Sequence, residues 1–477
     1  MTPARLSALE LRDLYTRREL SPVEVADAVL ELIETLNPAL NAVVTPTPAL
    51  AREQARAAEA DYRRGDTEGR PLLGIPYSVK DTIVTKGIRT TMGSRTLADW
   101  VPDLDAPAVE RCRAAGGVML GKTNSPEFGW KGETTNVLFG STRNPWNLAL
   151  TPGGSSGGAA AAVAAGIGPL ALGTDAAGSL RIPAALSGVF AIKASFGRVP
   201  VAPAGGIETL PHVGPITRTV CDAALLLDAI AGPDPRDRLS LPAQGVSFLA
   251  EAHRGLDGLE GLHVAWSADL GFAPVEPEVA ALTAAAARAF EQLGCHVEEV
   301  ALELDDPFEI VEVLIGAGAA GGHRDTYEQI RELLDPDRIP VLERAFGFTA
   351  ADVGAALARR GQWADRLRAQ TDTYDLLLTP TVPVPAFPIG LEAPPTVAGQ
   401  SRPGLSWAAF SYPFNLTGQP AASVPCGLTR TGLPVGLQIV GRRLDDALVI
   451  RAAAAFEAER PWAHLWPDHA ATAVEGL

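Results

Sequence analysis

Histidine is scarce in this chain. Its seven copies are scattered through 477 residues, with no H-x-x-x-H or H-E-x-x-H pair. Such spacing would put two imidazoles on one helix face, so no metal site is expected. Cysteine is scarcer still: Cys112, Cys221, Cys295 and Cys426 lie far apart and form no C-x-x-C. They read as reduced, mostly buried thiols of a cytoplasmic protein. Lys and Arg number 40 against 56 Asp and Glu, a net charge of −16. That balance lacks the basic face nucleic acid requires and disfavours anionic membranes. Strongly apolar runs of spanning length are missing as well. The longest uncharged stretch, residues 144–174, is rich in Ala and Gly and holds Pro152 and Pro169, a poor membrane span. The first ten residues carry Glu10 and no apolar core, so no secretory signal is expected.

What is present describes a globular chain, 47% hydrophobic and 20% charged. The first sixty residues read helical. Ser21-Pro22-Val23-Glu24 is a capping box with proline at the first helical position, and a second helix spans roughly Pro48 to Arg64 before Gly65. From Leu72 the texture changes to short apolar runs broken by Gly and Pro. Residues 74–81 and 117–122 predict strands, and Thr219 predicts the cap of a helix reaching Ile230. Residues 262–267, 277–293 and 295–302 predict a strand, a helix and a strand. Residues 375–379 predict a further strand, and 422–428 should pair with 435–440 through Thr431-Gly432. Strands alternating with helices predict an α/β fold, a sheet covered on both faces. The proline-rich stretch 380–403 has the length of a lid, a binding loop or a disordered segment. Gly166-x-Gly168-x-x-Ala171 superficially matches a dinucleotide fingerprint. It follows an Ala-rich helix instead of a strand and reads as glycine stop signals, so no cofactor is expected.

The chemistry concentrates in two glycine-rich turns. Gly153-Gly154-Ser155-Ser156-Gly157-Gly158 and Asp175-Ala176-Ala177-Gly178-Ser179 place two serines 24 positions apart. A serine hydroxyl needs a base to become a nucleophile, and glycine-rich backbone lets amide N–H groups crowd a reacting carbonyl. Ser179 follows the apolar run 169–173, a buried strand, and precedes a helix opening near Arg181. It reads either as a nucleophile at a strand-to-helix turn or as an ordinary N-cap. Ser155 also satisfies G-x-S-x-G, but the segment before it is short and closes on Pro152, without the strand an elbow requires. Its other reading is a glycine turn ahead of a helix over 159–165. Lys80 ends a strand; it reads as a surface lysine beside Asp81 or, if buried, as a base.

Taken together in this order, Lys80, Ser155 and Ser179 resemble the amidase signature family of serine hydrolases. The resemblance runs strongly over residues 72–232 and returns at 375–383 and 410–441, and Asn144-Pro145-Trp146 and Arg181-Ile182-Pro183 match flanking signatures. It implies one amidase domain over 1–477: a helical segment 1–70, a core at about 72–232, and an α/β part 233–477 carrying the 380–403 loop. The fold it implies is a large mixed β-sheet between helices. The triad it implies is Lys80, Ser155 with a cis peptide, and nucleophilic Ser179. Backbone N–H groups of Ala176, Ala177, Gly178 and Ser179 would hold the oxyanion, Ser156, Asp175 and Arg181 would support the geometry, and Gly129 and Trp407 would contact substrate. Ala177 stands where the family commonly has glycine, which raises the question of an altered oxyanion hole.

The resemblance further implies a small-molecule amide substrate and is compatible with a homodimer. The glutaminase subunit of the tRNA-dependent amidotransferase, a family member, carries an acid upstream of the segment matching 410–427. Here Leu405-Ser406-Trp407-Ala408-Ala409-Phe410 has none. An apolar wall favours a stand-alone amidase acting on a neutral or hydrophobic amide: an aryl acylamide, a lactam or oligoamide, or a carbamate. The alternatives are the glutaminase subunit itself, a non-catalytic scaffold, and an α/β-hydrolase using Ser155 with a histidine.

Overall fold

The computed structural model describes residues 3–467. Its strands are β1 (Val43–Pro46), β2 (Pro76–Lys80), β3 (Val118–Thr123), β4 (Thr135–Asn136), β5 (Gly140–Ser141), β6 (Leu170–Asp175), β7 (Phe190–Lys193), β8 (His212–Thr217), β9 (His263–Trp266), β10 (His296–Glu299), β11 (Leu376–Pro380), β12 (Ala421–Leu428) and β13 (Pro434–Gly441). All but the small β4–β5 ribbon join one sheet in the order β1-β3-β2-β6-β8-β7-β12-β13-β11-β9-β10. Pairing is parallel through β3-β2-β6 and β11-β9-β10 and antiparallel elsewhere, so the sheet is mixed. Every residue of β2, β3, β7, β8, β11 and β13 is buried. Strands buried along both sides require cover on both faces, and helices supply it. The fold is α/β, as the alternation of elements predicts.

Several local signals work as read. Ser21 and Glu24 form the capping box of Pro22–Leu40. Helix Pro48–Arg64 stops at left-handed Gly65, and Thr219 accepts from the Asp222 N–H to cap Val220–Ile230. β12 and β13 pair antiparallel across the predicted turn. Helix Gly157–Ala164, made of Gly, Ala and one Val, is wholly buried, because only small side chains fit that close to the sheet. The 380–403 stretch is ordered and tied down. Leu150 bridges Pro388, and Arg402 reaches Asp306 at 2.6 Å and the Phe272 carbonyl at 2.9 Å. Cys112, Cys295 and Cys426 are buried free thiols and Cys221 is half-buried. Among the described residues no helix is long and apolar enough to cross a membrane, and no cluster of metal-binding side chains occurs.

Topology places the site. β2 and β6 are parallel neighbours; Lys80 is the last residue of one and Asp175 the last of the other. Carboxyl ends of adjacent parallel strands open on the same edge, where α/β sheets put their ligands.

Candidate active site

Lys80 is fully buried at that edge. Its Nζ lies 2.6 Å from Ser155 Oγ and 2.8 Å from Thr174 Oγ1. Burial pulls its pKa from 10.5 to about 7, against the opposing pull of the Asp175 charge. Two other buried lysines, Lys122 and Lys193, are pulled to about 7 for the same reason. Lys122 Nζ is absorbed by the Ile83 carbonyl and the hydroxyls of Thr85 and Thr90. Lys193 Nζ donates to the Gln419 carbonyl beside His212. A perturbed lysine is therefore common here, and only Lys80 meets a candidate catalytic serine.

The Gly154–Ser155 peptide is cis, and Ser155 is buried. Ser156 pins this turn to the end of β6: its Oγ donates to the Thr174 carbonyl at 3.1 Å and accepts from the Thr174 N–H at 3.2 Å. The Ser156 N–H donates to the Ser179 carbonyl at 3.2 Å, which joins the two serine turns. Ser179 is half-buried between β6 and helix Arg181–Ser187, and among the described residues its Oγ has no hydrogen-bond partner. Gly129, at φ +73°, packs against this centre; a Cβ there would stand 3.1 Å from Ser155 Oγ and 3.9 Å from Lys80 Nζ.

Asp175 organises the turn that carries Ser179. Its carboxylate accepts from the Gly178 N–H (2.6 Å), the Leu180 N–H (3.3 Å), Arg181 Nε (2.9 Å) and Asn415 Nδ2 (2.8 Å). Burial raises its pKa, but Arg181, Lys193 and His212 outweigh it and hold the group below the usual carboxylate range. Arg181 extends the network to the Ser411 carbonyl, Gln438 Oε1 and Asn415 Oδ1 at 2.7–2.8 Å.

Two expectations need correction. The Gly178 N–H is already spent on Asp175, so it is not free for an oxyanion; the N–H groups of Ala176, Ala177 and Ser179 have no partner among the described residues. Trp407 is fully buried, set edge-on against Phe387, with Gly132 against its ring. In this structure its ring has no exposed surface to offer a substrate. Ala177 poses no backbone problem, because it does not adopt the left-handed conformation. That conformation falls at Gly178, φ +127°, where a Cβ would collide with Ser411 Oγ.

Sequence reading missed Thr174, Lys193, His212, Ser411, Asn415 and Gln438. Ser411 and Asn415, four apart around the start of helix Pro413–Thr417, share one face toward Asp175 and Ala177, a helical spacing visible in the sequence. Ala176 and Ala177 belong to one hydrophobic cluster with Ile207, Leu210, Ile315, Leu405 and Phe410 among its members. The buried charges near Gly129 are paired: Glu127 with Arg338 at 3.3 Å, and Lys131 at 3.8 Å from both Glu133 and Asp335.

A lysine-backed serine pair at the mouth of a mixed α/β sheet defines a class of serine hydrolase. The amidase family model matches residues 24–450, and the chain belongs to that family as an amide-hydrolysing enzyme. It is 42% identical to an acylamidase of Rhodococcus erythropolis, covering 97% of each chain. It is 38% identical to a glutamyl-tRNA(Gln) amidotransferase component of Moorella thermoacetica, covering 95% of this chain and 96% of the other. Among solved structures, a bacterial aryl acylamidase of the amidase signature family superposes with a TM-score of 0.91 at 33% identity, covering 98% of each chain.

Proposed function

We propose that this chain is a stand-alone acylamidase in which Ser179 is the nucleophile, Ser155 the proton relay and Lys80 the base. The observation that carries this reading is the 2.6 Å contact between Lys80 Nζ and Ser155 Oγ, made by a lysine that burial keeps largely able to be neutral near pH 7. Neutral Lys80 accepts the Ser155 proton as Ser155 accepts that of Ser179. Ser179 Oγ then bonds the amide carbon, and the carbonyl oxygen, now an oxyanion, meets the unpartnered N–H groups of Ala176, Ala177 and Ser179. Collapse breaks the C–N bond while Ser155 protonates the departing nitrogen and recovers a proton from Lys80. Water, deprotonated through the same relay, attacks the acyl ester and releases the acid and Ser179.

The hydrophobic cluster that includes Ala176 and Ala177 supports a neutral aryl or alkyl acyl group, as does the acid-free segment 405–410. The likeness to acylamidases points the same way. Glutamine would bring an ammonium and a carboxylate that this wall leaves without partners, so the glutaminase reading is the weaker one. A scaffold role has no use for a buried lysine kept in contact with Ser155. The test is a panel of aryl and alkyl anilides, primary amides, carbamates and glutamine. Anilides or alkylamides should exceed glutamine in kcat/KM by about 100-fold or more, the scale a site that leaves polar groups unpaired imposes. Preference for glutamine, or hydrolysis of none, overturns the reading.

A further inference from the structure

His212 stands directly opposite Asp175 in the antiparallel β6–β8 pairing. The imidazole is buried and has three polar neighbours, one of them Asn415 Nδ2 at 3.5 Å from Nδ1. Nδ1 is 3.1 Å from the Asp175 carbonyl oxygen, and Nε2 is 3.4 Å from Lys193 Nζ. The Asp175 carbonyl can only accept, so the proton sits on Nδ1 and points at Asp175, which leaves Nε2 as the acceptor facing Lys193. Burial and the neighbouring Lys193 charge keep the ring neutral, with Asp175 opposing and Arg181 adding to the effect. Asn415 Nδ2 donates to the same carbonyl at 3.1 Å. The Asp175 carbonyl is therefore clamped from two directions, outside the demands of the strand pairing.

A trans peptide sends its C=O and its N–H in opposite directions. Fixing the Asp175 carbonyl toward His212 thus fixes the N–H of Ala176 toward the opposite side, and that N–H is one of the three unpartnered donors beside Ser179. We propose that His212, held in its Nδ1–H tautomer by the Asp175 carbonyl with Lys193 against Nε2, is a positioning residue that aims the Ala176 N–H at the oxyanion. The inference rests on the amidase reading. It gives His212 a task unlike that of a general base: it touches the Asp175 carbonyl behind the oxyanion loop and, among the described residues, neither serine.

The test uses the two amide replacements of histidine. Asparagine carries its N–H₂ where Nδ1 was; glutamine reaches only the Nε2 position. In the full-length protein, kcat and KM for 4-nitroacetanilide and the affinity for phenylboronic acid, which forms a tetrahedral adduct on a serine, are measured for His212→Asn, His212→Gln and Lys193→Met, each with its melting temperature. His212→Gln should lose about 100-fold in kcat, the scale of one oxyanion donor, with KM within about twofold and boronate affinity falling in parallel. His212→Asn should stay within about fivefold of the parent, and Lys193→Met should fall between them. Equal losses in Asn and Gln variants, or losses that follow melting temperature instead of boronate affinity, overturn the role of His212. Undiminished kcat in the Gln variant does so too. Failure of the unmodified protein to hydrolyse any amide overturns the amidase reading itself and this inference with it.

Discussion

Arg181 Nε lies 2.9 Å from Asp175 Oδ2, and both side chains are completely buried directly behind the turn that carries Ser179. The pair is one node of a network that reaches Asn415, Gln438 and Ser411. Removing one member of such a pair strands the other charge in the interior at a cost of about 3–5 kcal/mol. Asp175→Asn should therefore lower the melting temperature by several degrees and, by releasing the Gly178 N–H, cut kcat as well. Because the Asp175 pKa is depressed, its contribution is present above the ordinary aspartate pKa and disappears only as pH falls through the lower folded value. Melting curves between pH 3 and 7 should show parent and variant converging at the acid end. A pH-independent gap would contradict this.

Lys80→Met separates function from stability. Burying the Lys80 charge costs most below about pH 7, where folded and unfolded chains both carry the proton; between about 7 and the ordinary 10.5 only the unfolded chain keeps it, so the penalty shrinks and the stability of the parent rises as pH climbs through this window. Lys80→Met should abolish acylation while raising the melting temperature by about 2 °C or more at pH 6, and less at pH 9.5. Calorimetry at the two pH values checks the sign. In the parent, acylation should drop about tenfold per pH unit below about 7, as Lys80 becomes protonated.

Thr174 is the second hydroxyl on Lys80, Oγ1 to Nζ at 2.8 Å. Thr174→Val replaces that hydroxyl with a methyl and desolvates the ammonium further. The pH–rate profile should shift toward acid by roughly half a unit to one unit, with a modest loss of maximal rate. A shift toward alkaline pH would contradict the assignment of Lys80 as the titrating base.

Gly129 has the left-handed φ of +73°, and a Cβ there would press on Ser155 Oγ at 3.1 Å. Gly129→Ala should cost about 1 kcal/mol of stability from the backbone alone. Displacing the relay serine should lower kcat by about tenfold or more, the penalty of a small misplacement. KM-to-kcat partition on an anilide tests it, since a purely substrate-contact role would move KM first.

Much of this was legible along the chain, for identifiable reasons. Lys80, Ser155 and Ser179 sit in local contexts whose order and spacing survive folding, and Asp175 and Arg181 flank Ser179 closely enough to be read with it. Caps at Ser21 and Thr219 were legible because their hydrogen bonds are local. Asn415 was not, because it lies 240 positions from Asp175 and meets it only through the non-sequential strand order. His212 and Lys193 were hidden likewise: their strands pair with β6 and β12 across the sheet, and neither carries a motif. The helices over 308–371 went unread although Thr349 and Asp352 form a capping box, since the glycine-rich run before them blurs the period. Trp407, a substrate contact by resemblance, is packed against Gly132 with no exposed surface, a burial that no local sequence signal shows.

The central claim is that Ser179, activated through Ser155 by Lys80, is the nucleophile. A fluorophosphonate probe with peptide mapping tests it most directly, since the probe loses fluoride and bonds only to an activated serine oxygen. The account predicts a single modified residue, Ser179, with labelling slowed at least about 100-fold in Lys80→Ala and in Ser155→Ala. Modification of Ser155 instead, or labelling of Ser179 that is indifferent to Lys80, would contradict it.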